Sequence, residues 1–205
     1  MWIVPAYPLF LASRSPRRRQ LLEQLGLSFT TLDVEVAERQ RSGERAEDYV
    51  RRVAREKALA GRERCGEAAA LVIGGDTEVV LDGEVIGKPE DVADARRILR
   101  ALSGRSHRVL SAVCVAGPRG LREALSESTV WFAALDEDRI ERYLATGEWR
   151  DRAGGYAIQG YAASFIARLD GSFSGVMGLP LYETARLLEQ ADLPVAVDIP
   201  APSAD

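Results

Sequence analysis

The chain has 205 residues, 46% hydrophobic and 28% charged, with a net charge of −4. That is enough chain for a substantial core, as one α/β domain or two closely fused lobes, and the acidic balance argues against binding of a nucleic-acid polymer. Cys65 and Cys114 are too few for a disulfide framework or zinc site, no apolar run is long enough to span a membrane, and no basic-then-apolar leader is visible, so a cytoplasmic location is expected.

Leu9–Ala12 is a short apolar run suited to one buried strand. Polar Ser13, Arg14 and Ser15 follow, then Pro16, whose missing N–H has no partner to lose in the first turn of a helix. Leu21, Leu22 and Leu25 give that helix its apolar face, and Gly26 is the expected stop. A strand, turn and helix in this order aim free backbone N–H groups and the positive end of the helix dipole at one point. Arg17, Arg18 and Arg19 oppose that dipole, at about 0.3–1 kcal/mol each when exposed. Arg17 shares a stripe with Leu21 and Leu25, and Arg18 lies above Leu22, so both are expected to turn inward. The bland alternative is a solvated basic turn. Serine hydroxyls, a helix N-terminus and inward arginines together favour an anion pocket, and phosphate as the anion.

Leu27–Val36 alternates as a strand does and leads into the acidic and polar stretch Glu35–Glu44, where Glu35 and Glu38 are the carboxylates placed to face a site. Ala46–Ala60 reads as an amphipathic helix ending near Gly61, with Ala46, Val50 and Val53 on one stripe. Lys57 continues that stripe, either snorkelling to its edge or delivering a charge to a cleft.

Leu71–Ile73 and Val79–Leu81 read as two strands. Between them, Gly74 and Gly75 allow close backbone approach just before Asp76 and Thr77. Asp82-Gly83 is a two-residue hairpin signal. Counting back from it sets Leu81 opposite Glu84 and Thr77 opposite Lys88, which brings Lys88 close to Asp76. As a mere exposed ion pair this is worth about 0–1 kcal/mol; the adjoining glycines favour a functional constellation.

Asp91 is expected to cap a helix with Val92, Ala95, Ile98, Leu99 and Leu102 inward and Gly104 as stop. His107–Ala116 reads as a strand, Gly117–Gly120 as a turn, and Glu127–Ala133 as another strand. His107 is the only histidine, so a histidine metal site or a Ser/His triad has no support, and a hydrogen-bonded strand-edge role is expected for it. Asp136 caps a short helix with Ile140, Tyr143 and Leu144 inside. The glycine-rich stretch Glu148–Phe165 carries Arg150, Asp151, Arg152 and Gln159, whose amide either reads a base edge or lies on the surface. Phe165–Leu169, Asp170-Gly171 and Phe173–Met177 predict a second hairpin, and Pro180 opens a last helix with Thr184, Ala185 and Leu188 inward. One domain is expected over residues 1–190, with 191–205 a Pro- and Ala-rich tail lacking regular structure.

The segments LASRSPRR, REKA around Lys57, GGDTEVVLDGEVIGKP, LSGRSHRV, DRAGGYAIQG and GSFSGVMGLPLYET, in this order, resemble the Maf (septum-formation) family of nucleoside triphosphate pyrophosphatases. The match runs from about Leu11 to Leu188. It implies an α/β fold with a long central mixed β-sheet flanked by helices, and a cleft between two lobes. It also implies hydrolysis of a small-molecule nucleoside triphosphate to the monophosphate and pyrophosphate with a divalent metal cation, Mg²⁺ or Mn²⁺. A homodimer, a house-cleaning role for nucleotide pools and a link to cell-division arrest belong to the same resemblance. Asp76 matches the family's proton acceptor, and is expected to work with the metal. Arg17, Thr77 and Gln159 match positions tied to substrate choice in the dTTP/UTP branch, to which the IQG segment is similar. Arg18, Lys57 and Lys88 look like triphosphate-binding cations, with Ser13 beside them; Glu38 looks like an acidic partner that shares the metal with Asp76. Ala37 departs from the acid many members carry before Glu38, Arg152 stands where lysine is common, and Ser111 where threonine is common. Two rival readings are a non-catalytic nucleotide-binding regulator of septum formation and a pyrophosphatase for altered purine nucleotides such as ITP.

Overall fold

Seven strands make one mixed sheet within residues 7–195, the part of the chain that this computed structural model describes. β1 (Leu9–Ala12) lies parallel to both β2 (Thr30–Leu32) and β3 (Leu71–Leu81). From β3 the sheet continues antiparallel through β5 (Ser106–Gly117), β6 (Gly120–Phe132) and β7 (Ile166–Asp170). β4 (Glu84–Ile86) folds back through Asp82-Gly83 onto the far end of β3. The helices are α1 (Pro16–Glu23), α2 (Ala46–Cys65), α3 (Val92–Leu102), α4 (Glu137–Ala145), α5 (Phe173–Met177) and α6 (Leu181–Gln190). This is the mixed α/β arrangement expected, with helices flanking the sheet. No helix among the described residues is long and apolar enough to cross a membrane.

Local chemistry sets many of these boundaries. Ser15 caps α1 with Pro16 in its first turn, and Asp91 and Asp136 accept hydrogen bonds from the Asp94 and Arg139 amides to start α3 and α4. Val92, expected inward, is 45% exposed because it stands at the first residue of α3, before the apolar stripe begins.

The span 71–81 is one strand, not two. β5 pairs with it without interruption from Val72 to Val80, carrying the ladder straight through the glycines. Gly74 serves helix packing: a Cβ there would collide with the α2 backbone at Ala54 and Ala58. A Cβ at Gly61 would lie 2.6 Å from Val72 Cγ1 and 2.8 Å from Ala12 Cβ. The expected stop at Gly61 is therefore a close-packing residue inside α2, and the helix ends at Gly66, where φ is 65°. Ala46, Val50, Ala54 and Ala58 lie along α2 against Val80, Leu110, Ala112 and Cys114 on one face of the sheet. Leu22, Leu99, Ile140 and Leu188 join Leu11, Ile73 and Val113 in the larger core on the other. Each fully buried leucine contributes about 1.5–3 kcal/mol.

Other spans differ from expectation. β2 is short and partly exposed, covering only Thr30–Leu32 of the predicted 27–36, and β6 begins at Gly120 rather than Glu127. Phe173–Met177 is a helix instead of a hairpin strand, because Ser172 caps it by accepting the Gly175 amide. The chain stays packed beyond residue 190: Ala191 and Leu193 are buried. Residues 196–205 of the predicted tail lie outside the described residues.

One feature of the sheet places the site. On one edge of β3, β1 pairs only as far as Gly74, and β4 only from Val79 onward. The stretch Gly75–Glu78 is left bare on that edge while β5 holds it on the other.

Candidate active site

A cavity of about 990 Å³ opens at this bare edge. Ser13, Arg17, Arg18, Glu38, Lys57, Asp76, Thr77, Lys88 and Gln159, the residues singled out from sequence, all line it. They come from the β1–α1 turn, the stretch after β2, α2, β3, the segment after β4 and the glycine-rich loop.

The β1–α1 turn is held by its own serines. Ser13 Oγ accepts from the Ser15 amide at 3.2 Å, and Ser15 Oγ from the Arg18 amide at 3.5 Å. Arg17 donates to the Asp151 carbonyl at 3.4 Å. Burial, and then the positive charges of Arg152 and Arg18, lower its pKa to about 10. The positive charge of Arg152 and Arg18 around Arg17 favours the arrival of an anion. Arg18 donates from Nε to the Gly178 carbonyl at 2.7 Å and from Nη2 to Thr77 Oγ1 at 3.4 Å, pinning α1 to the turn after α5. Gly75 leaves room for it: a Cβ there would lie 3.3 Å from Arg18 Nε. Arg19 instead turns outward to Glu23.

The charged cluster differs from the counted hairpin in one respect. The β3–β4 ladder ends at Val79–Ile86, so the pairing of Thr77 with Lys88 is not made. The lysine on Asp76 comes from α2: Lys57 Nζ lies 2.8 Å from Asp76 Oδ1 and 2.6 Å from Glu38 Oε1. Lys88 stands one carboxylate further out, 3.3 Å from Glu38 Oε2. Burial alone would raise the Glu38 pKa, but Lys57 and Lys88 hold it down at about 2.

Glu78, which the sequence reading passed over, joins this cluster. It follows Asp76 by two residues on β3 and so shares its face. Burial, then the charges of Asp76 and Glu38, push its pKa up to about 8. Treating residues 74–78 as a break between two strands hid the alternation that would have revealed it. Tyr49 of α2 also lines the cavity, and burial followed by the charges of Glu78, Asp76 and Glu38 raises its pKa.

Asp76 is only 5% exposed, yet among the described residues its Oδ2 has no hydrogen-bond partner, and neither has Glu78 Oε2. Among the described residues no three metal-ligating side chains converge. A Mg²⁺-like cation needs only one or two carboxylates when substrate phosphates complete its shell. An orphaned buried carboxylate oxygen at a cationic cavity fits that requirement, whereas both Glu38 oxygens are engaged by lysines.

Gln159 is exposed at the cavity's lip. Its loop is tied to the β4 end of the sheet by the Gly154 amide, which donates to the Gly87 carbonyl at 3.1 Å. The Glu148 carboxylate accepts the Tyr161 amide at 2.9 Å, in space that a Cβ on Gly160 would take. Arg152 donates to the Glu148 carbonyl and leaves its buried Nη1 without a partner. His107 is not at a strand edge. It is 3% exposed between β3 and β6, 2.8 Å from the Tyr156 hydroxyl and edge-on to Phe132, and burial lowers its pKa to about 4.

Residues 8–191 match the Maf family, described as Maf-like protein. The chain belongs to that family. A dTTP/UTP pyrophosphatase of Methylococcus capsulatus is 54% identical over 188 residues, which cover 92% of this chain and 93% of that protein. A nucleoside triphosphate pyrophosphatase of Xylella fastidiosa is 53% identical over 182 residues, 88% of this chain and 96% of that protein. Among solved structures, a nucleoside-triphosphatase / dITP/XTP pyrophosphatase of Mycobacterium abscessus aligns at 17% identity and a TM-score of 0.46, covering 90% of this chain and 94% of that one. That likeness is too loose to bear on activity. The Maf relatives are matched over nearly their whole length, so the cavity and its charged residues lie inside the shared region.

Proposed function

We propose that this Maf protein hydrolyses nucleoside triphosphates, dTTP and UTP foremost, to the monophosphate and pyrophosphate. The observation that carries this reading is convergence. Cations from α1, α2 and the segment after β4 line the same cavity as one aspartate with an unpaired oxygen, and its volume of about 990 Å³ is roomy enough for a nucleotide.

Arg17, Arg18, Lys57 and Lys88 supply positive charge to the triphosphate, and Ser13 with the N-terminus of α1 supplies neutral donors. Asp76 positions the water that attacks the α-phosphorus, and the proton of that water passes to solvent. The bond from that phosphorus to the α,β-bridging oxygen breaks, and pyrophosphate leaves with the bonding electrons. Lysine and arginine charges stabilise the leaving group where negative charge grows. A divalent cation would be held at Asp76 and would supply charge neutralisation and a more acidic water.

Gln159 presents an amide that both donates and accepts, which suits the O4 and N3–H edge of thymine or uracil. Cytosine inverts that pattern, so Gln159 discriminates against it only when the bound nucleotide holds the amide in one orientation.

The test is a panel of nucleoside triphosphates with Mg²⁺ or Mn²⁺, assayed for pyrophosphate. The expected result is equimolar monophosphate and pyrophosphate, fastest with dTTP and UTP. Binding without turnover would favour the regulator instead, and a preference for ITP the altered-purine enzyme. In the same panel, Gln159→Ala should reduce discrimination against dCTP and CTP by about 10²-fold while slowing dTTP turnover much less. Unchanged selectivity would remove Gln159 from base recognition.

A further inference from the structure

Two carboxylate oxygens in the cavity, Asp76 Oδ2 and Glu78 Oε2, have no hydrogen-bond partner among the described residues, and both are sealed from solvent by the protein. Asp76 as a whole is 5% exposed. Their residues alternate on β3 with Thr77, so both side chains rise from the same face, roughly 7 Å apart along the strand. The longer glutamate can lean back toward the aspartate. Glu38, the other acidic side chain in the cavity's charged cluster, already spends one oxygen on Lys57 and the other on Lys88. Asp76 gives only Oδ1 to Lys57, and no lysine or arginine hydrogen bond to Glu78 is present among the described residues.

We propose that Glu78 is the second protein ligand, beside Asp76, of the divalent cation used in this cavity. Glu38 then has a different duty: it holds Lys57 and Lys88 in place for the triphosphate. A pair of carboxylates, with phosphate oxygens and water filling the remaining positions, is the usual way in which Mg²⁺ or Mn²⁺ is held at a nucleotide. Binding the cation would satisfy both orphaned oxygens at once, and would relieve the crowding of negative charge around Glu78.

This inference rests on the proposed pyrophosphatase activity, and the experiment separates the two. Mn²⁺ is titrated into the full chain with the α,β-methylene analogue of dTTP, and free Mn²⁺ is read from its electron paramagnetic resonance signal. Glu78→Gln should weaken Mn²⁺ binding by at least about tenfold, with the melting temperature preserved. Glu38→Gln removes a neighbouring carboxylate from the same cavity and should weaken it less than about threefold. Equal weakening in the two variants, or Mn²⁺ binding by Glu78→Gln within threefold of wild type, would overturn the assignment. Should Glu78→Gln not fold, Glu78→Asp carries the test, since it keeps the charge but shortens the reach; unaltered Mn²⁺ affinity there overturns it equally. Wild-type protein is assayed with dTTP alongside. Absence of pyrophosphate from wild type would defeat the functional reading, whereas normal release with an indifferent Glu78 would defeat the ligand assignment alone.

Discussion

Asp76 and Thr77 are neighbours on β3 whose side chains leave opposite faces of the sheet, and the two faces are finished differently. On the Thr77 side, hydroxyl and guanidinium groups close on one another. Thr77 Oγ1 lies 2.9 Å from Ser111 Oγ, Ser111 donates to the Gly175 carbonyl at 2.6 Å, and Arg18 reaches both Thr77 and Gly178. On the Asp76 side, carboxylates and lysines crowd together, yet Asp76 and Glu78 each keep an unpartnered oxygen. Leaving a buried polar group unpaired costs about 1–3 kcal/mol. Around residues 76–78 of β3 that cost falls on the carboxylate side, while Thr77 and the groups it touches are paired. The satisfied face fixes where α1 and α5 sit; the unsatisfied face holds groups free to engage a ligand.

The comparison breaks most sharply at Asp76. Asp76→Asn keeps the shape of the side chain and should lower pyrophosphate release by about 10³-fold or more, with the cooperative melt retained. Near-normal turnover would place the chemistry elsewhere. Next in size is Lys57→Met, which strips Asp76 of its buried partner; a loss of about 3–5 kcal/mol in urea unfolding is expected. A loss below 1 kcal/mol would show that Asp76 does not depend on Lys57.

A pH titration probes the Thr77 face further along β5, where His107 Nε2 hydrogen-bonds Tyr156 while its buried Nδ1 has no partner among the described residues. The folded protein resists protonating His107 until about pH 4, whereas the unfolded chain takes the proton near 6.5. Between those values the unfolded state binds more protons, so stability is full above pH 6.5 and falls as pH drops toward 4, by on the order of 3 kcal/mol. His107→Gln, which keeps a partner for Tyr156, should flatten that part of the acid limb in unfolding curves measured from pH 7 to 4. The smallest effect is expected from Ser111→Ala. It should cost about 1–2 kcal/mol of stability, through the Thr77 and Gly175 bonds, and change turnover less than about twofold. A large kinetic loss there would blur the distinction between the two faces.

Much of this was legible in one dimension because its causes are local. Ser15 and Pro16 start α1, Asp91 and Asp136 cap their helices, and Asp82-Gly83 turns β3 into β4, each through contacts within a few residues. The residues that gather at the cavity were likewise nameable from their motifs. The failures share another cause. Gly61 and Gly74 look like a helix stop and a strand break, but each is small because another element presses against it. Phe173–Met177 has a strand's apolar look until Ser172 caps it as a helix.

The sequence by itself determined the strand–turn–helix at the start, the family, and the set of charged residues available to the site. Only the tertiary structure decided which lysine meets Asp76, that Glu38 is occupied, and that Glu78 stands beside Asp76 with an oxygen to spare. The physical reason is distance along the chain. Lys57 and Asp76 touch because α2 lies close on β3 over Gly61 and Gly74, and no local pattern encodes the spacing between two packed elements.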